Sequence, residues 1–183
     1  MSILVRVMRK VVLLCAFALV SLASPAAGAE PTAGTLSVER GKGVVTVDLR
    51  GSLLGRLTTG SLRVTDHTPG DRYSAIVAGR KVTQERLGPR TVLYRGQGLR
   101  FRMLGGGYRV VARGSGISVS AVGRGVVMLD AEPQFLGDDA GVYSLDGIDC
   151  SLEPAECTPL PTEPERFTLE PPDTESPQPR LGS

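Results

Sequence analysis

The side chains that could perform catalysis are few, and the chain has a single histidine. His67 follows Asp66 at the end of a β-type run, directly before the turn sequence Thr-Pro-Gly-Asp at 68–71. Neighbouring residues of a strand point to opposite faces, so Asp66 is poorly placed to orient the His67 ring. A serine nucleophile of the Gly-x-Ser-x-Gly type has no matching motif in this chain. We therefore predict no catalytic residue and expect His67 to be part of a turn.

Carboxylates offer a second kind of chemistry, because two acidic groups in one cleft can act as general acid and general base. A secreted carboxylate-dependent hydrolase is therefore the alternative function. Their spacing along the chain gives no sign that the acidic residues of the first half converge. The candidates beyond the terminal Glu30 are Glu39, Asp48, Asp66, Asp71 and Glu85.

Signals for a cofactor or a metal are weak. Glycine clusters at 96–98, 105–107, 114–116 and 123–125 could cradle phosphate only if a helix followed, and β-type residues follow each of them. Aspartates between 138 and 149 offer oxygen ligands for calcium, but the spacing of an EF-hand loop is missing. We predict no cofactor and no metal site.

Arginines are the most promising binding residues. Arg100 and Arg102 alternate with the apolar residues of the run 99–103, so both should lie on one face while the apolar residues face the core. Arg109 and Arg113 lie on the next run and would join them if the strand register allows it. An ordinary solvated face is one interpretation of these arginines, and binding of an anionic envelope polymer or of the chain's own acidic tail is the other. Nucleic acid is not expected, since the aromatic stacking platforms of single-strand binders are missing.

The charge distribution divides the chain into two blocks. Residues 30–129 contain 16 basic and 6 acidic residues, whereas residues 130–183 contain 2 basic and 13 acidic residues. Such asymmetry indicates either that the acidic block shields the basic one or that the basic block has an anionic partner. Two independently solvated surfaces are the third interpretation.

The elements that must position these residues are β-strands. Val-rich and Thr-rich runs alternate with period 2 and are separated by glycine clusters such as 41–43, 105–107 and 123–125. We predict an all-β domain over residues 30–150, a small antiparallel sandwich or barrel of about eight to ten short strands with glycine-turned hairpins. One such hairpin should turn at Gly79–Arg80. Residues 36–48 weakly resemble 117–130, but without a fixed period they do not predict a solenoid.

The two ends of the chain carry different signals. Basic residues at 6–10, an apolar run at 11–23 and the sequence Ala-Gly-Ala at 27–29 predict a signal peptide cleaved after Ala29. A retained anchor is the alternative, although the apolar run is shorter than the ~20 residues of a spanning helix. Residues 151–183 are rich in Pro and Glu, and we expect a largely disordered tail in which 166–169 could add a short strand.

Two cysteines remain after removal of the signal peptide, Cys150 and Cys157. An even pair in an exported protein predicts a disulfide, and two thiols without further nearby ligands do not make a zinc site. No membrane span is expected after cleavage, and the protein should be secreted or lie in the bacterial envelope. The sequence therefore favours a non-catalytic binding or structural module. A structural domain whose acidic tail masks its basic face is a further hypothesis.

Overall fold

The computed structural model describes residues 34–72, 74–134 and 137–170. The predicted signal peptide and the segment 171–183 lie outside these residues. The strands are β1 (Gly34–Asp66), β2 (Ile76–Arg86), β3 (Thr91–Ala131), β4 (Val142–Ser144), β5 (Thr158–Pro159) and β6 (Glu165–Leu169). Two short 3-10 helices span Gly137–Ala140 and Pro154–Glu156. Within this part of the chain, no helix has the length and hydropathy needed to cross a membrane.

The all-β prediction is confirmed, but the strands are fewer and longer than expected. The described residues form one antiparallel sheet of six strands, in which β1 has 33 residues and β3 has 41. The glycines expected to turn hairpins lie inside these two strands. Val38, for example, pairs with Val119 of β3 and not with a residue just beyond Gly43. The prediction of hairpins turned at these glycines is therefore wrong.

Strands β1 and β3 wind around each other as an antiparallel coil. Thr46 of β1 pairs with Val111 on one side and with Met128 on the other, and Val111 in turn pairs with Thr46 and Arg63. Thr46 and Arg63 thus lie on either side of Val111, one full turn of the coil apart. After each turn, the chain returns two strands further along the sheet without leaving β-structure. The sheet must therefore curl around on itself.

Each turn of the coil consists of two straight strand segments, which we name legs. Legs that pair side by side form two walls, and the walls enclose the core. We name them the front wall and the rear wall. The front wall contains residues 34–39, 52–57, 76–78, 99–104 and 117–123. The rear wall contains residues 43–50, 60–66, 91–96, 107–114 and 125–131. Arg100 and Arg109 consequently lie on opposite walls.

The core lies between the two walls because each leg alternates inward apolar and outward polar side chains. Leu99, Phe101 and Met103 of the front wall and Val45 and Val47 of the rear wall are all at most 3% exposed and belong to one apolar cluster. Burial of this continuous cluster is the main force that holds the coil closed.

The corners between the walls depend on glycine. Gly60 pairs with Gly114 on one side and with Gly96 on the other, and Gly114 also pairs with Gly43, so a row of glycines crosses the sheet. Gly60 has a φ of 136°, a conformation that residues with a side chain rarely adopt. A Cβ added there would overlap the carbonyl oxygen of Arg113. The missing side chains let neighbouring strands bend together.

The segment between β1 and β3 also differs from the prediction. No hairpin turns at Gly79–Arg80, because β2 continues through this position along β3, with register shifts between Ala78 and Thr83. The chain instead turns after β2, where the amide of Leu87 donates a hydrogen bond of 3.0 Å to the carbonyl of Thr91. The predicted turn at 68–71 is present, and the amide of Asp71 donates to the carbonyl of Thr68 at 3.2 Å.

Residues 151–170, expected to belong to a disordered tail, have defined structure. Strand β6 lies where the sequence suggested a short strand, and it pairs with residues 125–129 of β3. Leu160 and Leu169 are 5% and 2% exposed and belong to the core cluster. This segment therefore contributes to the domain, whose packed part extends to residue 169.

The predicted disulfide joins Cys150 and Cys157. Cys150 is fully buried, and its amide donates a hydrogen bond of 2.9 Å to the Ser37 hydroxyl of β1. The bond therefore closes a short loop against the front wall. Ser151 of this loop and the preceding Asp149 line a cleft.

Replacing Cys157 by serine should lower the free energy of unfolding by about 2 kcal/mol, since a short closed loop restricts the unfolded chain only modestly. Urea denaturation under oxidising conditions measures this change. The original chain under a reducing agent is the control and should match the variant. An unchanged denaturation midpoint in the variant would show that the disulfide does not stabilise the fold.

Candidate functional site

The strand register aligns polar side chains in rows on the outer face of the front wall. Arg56 lies between Arg100 on one neighbouring strand and Ser118 on the other. Arg100 and Arg102 are exposed, whereas the residues on either side of each are buried, so the predicted alternation of the run 99–103 is confirmed. Both arginines therefore face away from the core on one wall.

A cleft of about 660 Å³ lies at the end of the front wall near the glycine row. We name it the arginine cleft, because it is lined by Arg40, Arg56, Arg80 and Arg100 together with the carboxylate of Glu39. Apart from Leu57, the remaining lining residues are small or hydroxyl-bearing, among them Thr58, Gly79, Gly98 and Ser118. Four guanidinium groups around one cavity give it a strongly positive potential.

The single carboxylate of the arginine cleft neutralises only one of the four arginines. Arg56 donates through Nη2 to Oε1 of Glu39 at 3.1 Å and through Nε to Oγ of Ser118 at 3.4 Å. The Glu39 side chain is 13% exposed, so this ion pair fixes Arg56 against the sheet. Within the described part of the chain, Arg40, Arg80 and Arg100 form no ion pair or side-chain hydrogen bond.

Backbone strain also concentrates at this cleft. Arg40 and Lys81 are the two residues other than glycine, among those described, that have a positive φ, at 56° and 50°. Such a conformation costs an L-residue about 1 kcal/mol or more, and it is frequent at functional sites. Arg40 lines the cleft directly, and Lys81 follows Arg80 in a bulged part of β2.

A second cleft, of about 460 Å³, continues along the same wall. It shares Glu39, Arg56, Arg100 and Ser118 with the arginine cleft, and further serines and apolar residues of the front wall line most of the rest. Asp149, directly before the disulfide loop, also lines it. Hydrogen bonds donated by the hydroxyl and the amide of Ser151 lower the pKa of Asp149, so this carboxylate is ionised at neutral pH.

The structure does not gather the four arginines predicted from the sequence into one patch. Arg109 and Arg113 lie on the outer face of the rear wall, where Arg109 is flanked by Asp48 and Thr65. Across the described residues, neither they nor Arg100 and Arg102 form an ion pair with the acidic residues of 151–170. Docking of the acidic segment on these arginines therefore has no contact to support it in residues 151–170.

Three carboxylates contact the two consecutive residues His67 and Thr68, although their spacing did not predict it. Nε2 of His67 lies 3.2 Å from Oδ1 of Asp48. Asp66 accepts a hydrogen bond of 2.8 Å from the amide of Thr68, and the Thr68 hydroxyl donates to Asp71 at 2.7 Å. Asp66 and Asp71 thus hold the turn that follows β1, and the amide of His67 is itself bonded to the carbonyl of Gly107.

Tyr108 lies beside this turn with its ring 2% exposed. Its hydroxyl finds no hydrogen-bonding partner among the described residues. Burial raises the pKa of Tyr108, and the carboxylates of Asp66 and Asp71 raise it further. The hydroxyl therefore stays protonated at neutral pH and is not suited to act as a base.

Sequence reasoning missed Arg40, Arg56 and Arg80 as partners of Arg100, because only the coil brings these distant positions to one cleft. Among the described residues, no group of three or more His, Cys, Asp or Glu side chains is placed to hold a metal ion. The chain matches no protein-family model, and neither a curated protein nor a solved structure matches it.

Proposed function

We propose that the protein is a non-catalytic module that binds an anionic component of the cell envelope or of the extracellular medium in the arginine cleft. The observation that carries the proposal is the presence of four arginines around one cavity with a single carboxylate to balance them. Three guanidinium groups are left for a ligand once Arg56 is paired with Glu39.

The chemistry of the cleft suits carboxylate or phosphate groups. A guanidinium presents a planar set of donors that can bind either group through two parallel hydrogen bonds. The volume of about 660 Å³ lies within the range of ordinary small-ligand sites, which accommodates a few charged units of a larger molecule. Since the arginines are exposed, binding should weaken as salt screens their charge.

The proposed location outside the cytoplasm has two supports. The first residues have the pattern of a cleaved signal peptide. The disulfide between Cys150 and Cys157 is stable in an oxidising compartment and rare in the cytosol. As a scaffold, we class the two-walled coil as a small sandwich, since its two walls share one core and, among the described residues, its edge strands do not pair with each other.

Changing Arg80 and Arg100 together to serine should raise the dissociation constant for polygalacturonate or polyphosphate at least about tenfold, because two charge-assisted contacts are lost. Fluorescence anisotropy with a labelled polyanion at low salt measures this change. The matched control is Arg109→Ser with Arg113→Ser, which removes the same charge from the rear wall and should change the constant less than about threefold.

Two results would contradict this proposal. Equal weakening by the front-wall and rear-wall variants would show that net charge alone determines binding. The absence of binding to either polyanion at low salt would show that the arginine cleft is an ordinary solvated surface.

A carboxylate-dependent hydrolase is the second candidate, and the approach of Asp48, Asp66 and Asp71 to His67 and Thr68 favours it. Hydrolysis of ester or glycoside substrates by the purified protein would support it if the activity disappeared in Asp48→Asn. Asp48 is the informative position, because Asp66 and Asp71 also hold the turn.

A further inference from the structure

Exposed aliphatic side chains cluster on the front wall. Seven large apolar residues are substantially exposed in the described part of the chain, and four of them belong to this one face. They are Leu54, Ile76, Leu104 and Val122, with exposed fractions of 45%, 59%, 40% and 49%. We name this group the aliphatic patch.

The strand register brings the members of the aliphatic patch together. Leu54 pairs with Arg102, and Arg102 pairs with Ile76 on the next strand. In the adjacent row, Ser52 lies between Leu104 and Val122. Diagonal neighbours on one face lie within reach of each other, so Leu104 and Val122 lie close to Leu54, and Arg102 stands between Leu54 and Ile76.

The aliphatic patch and the arginine cleft are parts of one face. Arg56 and Arg100 stand two residues along their strands from Leu54 and Arg102, and they point to the same side of the sheet. The outer face of the front wall therefore changes from mainly aliphatic to basic between the row of Leu54 and the next row, which contains Arg56 and Arg100. An occupant that fits this face must offer negative charge next to apolar groups.

We infer that the front wall docks on an anionic lipid surface; this inference rests on the proposed anion binding in the arginine cleft. The arginines would contact headgroup phosphates, while the aliphatic tips enter the region between headgroups and acyl chains. Arginine suits this boundary because its aliphatic stem packs on apolar surface and its charged end stays at the headgroups.

The charges of the face disfavour a second copy of this chain as the occupant. A symmetric dimer through the front wall would place Arg100 and Arg102 of one chain against the same residues of its partner, and among the residues that line the two clefts only Glu39 and Asp149 could offset them. A soluble polyanion would satisfy the arginines but would leave the aliphatic patch in water. The lipid surface accommodates both halves of the face.

Co-sedimentation with lipid vesicles tests this inference on residues 30–183, the chain without its predicted signal peptide. Vesicles of phosphatidylcholine mixed with phosphatidylglycerol should bind it, and vesicles of phosphatidylcholine alone should bind it at least about fivefold more weakly. Ile76→Ser with Leu104→Ser should reduce binding to the mixed vesicles about fivefold, because apolar insertion is lost. The same variant should retain its affinity for soluble polyphosphate.

The matched control is Leu87→Ser with Met128→Ser, which removes two exposed apolar side chains outside the front wall and should leave vesicle binding unchanged. Thermal unfolding of each variant verifies that it is folded. Vesicle binding that is unchanged by Ile76→Ser with Leu104→Ser, or equal for both vesicle types, would overturn docking on a lipid surface while leaving the proposed function intact. Failure to bind polyphosphate as well as vesicles would overturn both proposals.

Discussion

Gly60→Ala is expected to lower the free energy of unfolding by about 3 kcal/mol or more, because strain and steric overlap combine at this corner. The φ of 136° is unfavourable for alanine. The added methyl group would also overlap the carbonyl oxygen of Arg113 on the neighbouring strand, and a backbone atom inside a paired sheet has little freedom to move away. Denaturation in guanidinium chloride, monitored by circular dichroism, measures the change.

Two control variants separate the strain from the overlap. Gly70→Ala has a φ of 98° with no heavy atom within 4 Å of the added Cβ, so it should lose only about 1 kcal/mol. Gly88→Ala also has open space but an ordinary φ, and it should be neutral or slightly stabilising. If Gly60→Ala cost no more than Gly70→Ala, the corner would not depend on close approach of the strands.

Ending the chain after Cys157 is expected to destabilise the domain by about 3–6 kcal/mol, since two leucines leave the core at roughly 1.5–3 kcal/mol each. Leu160 and Leu169 are both buried. The truncation also removes β6 and the carbonyl of Pro161, which accepts a hydrogen bond of 2.8 Å from the amide of Ala131. Urea denaturation measures the loss, and the disulfide stays available in this truncated chain.

A chain that ends at Glu170 is the control for this truncation. It keeps β5 and β6, so its free energy of unfolding should stay within about 0.5 kcal/mol of the original chain. Binding of polyphosphate by the same truncated chain also tests masking by residues 171–183, which would appear as increased affinity. Equal stability of the two truncated chains would show that the segment 158–170 is not part of the packed domain.

Local patterns in the sequence predicted several features of the fold correctly. Leu99, Phe101 and Met103 are buried and Arg100 and Arg102 exposed because the period of a strand depends only on adjacent residues. The disulfide was predicted because Cys150 and Cys157 are the two cysteines that follow the predicted signal peptide. Such features are determined over a few residues, and no knowledge of distant pairing is needed.

The role of the glycines was beyond sequence reasoning. A hairpin turn and a strand corner both require a residue that tolerates positive φ, so a glycine such as Gly43 is equally compatible with either. Pairing decided between them, because Gly43 and Gly60 both lie beside Gly114, one full turn of the coil apart. Segments of β1 alternate with segments of β3 across the sheet, so each strand supplies only every second segment. The equivalence of Gly43 and Gly60 is therefore apparent only when the pairing of the two strands is known.

The sequence by itself determined that the protein is all-β, that its alternating residues form an apolar face, that Cys150 and Cys157 pair and that its charge is unevenly distributed. Only the tertiary structure decided which arginines share a face. The inward alternation shifts by one position at the corner between Leu57 and Leu62, both of which are buried. A period-2 pattern therefore cannot be extended across a corner, and the rotation of the coil places Arg56 beside Arg100 while it carries Arg109 to the opposite wall.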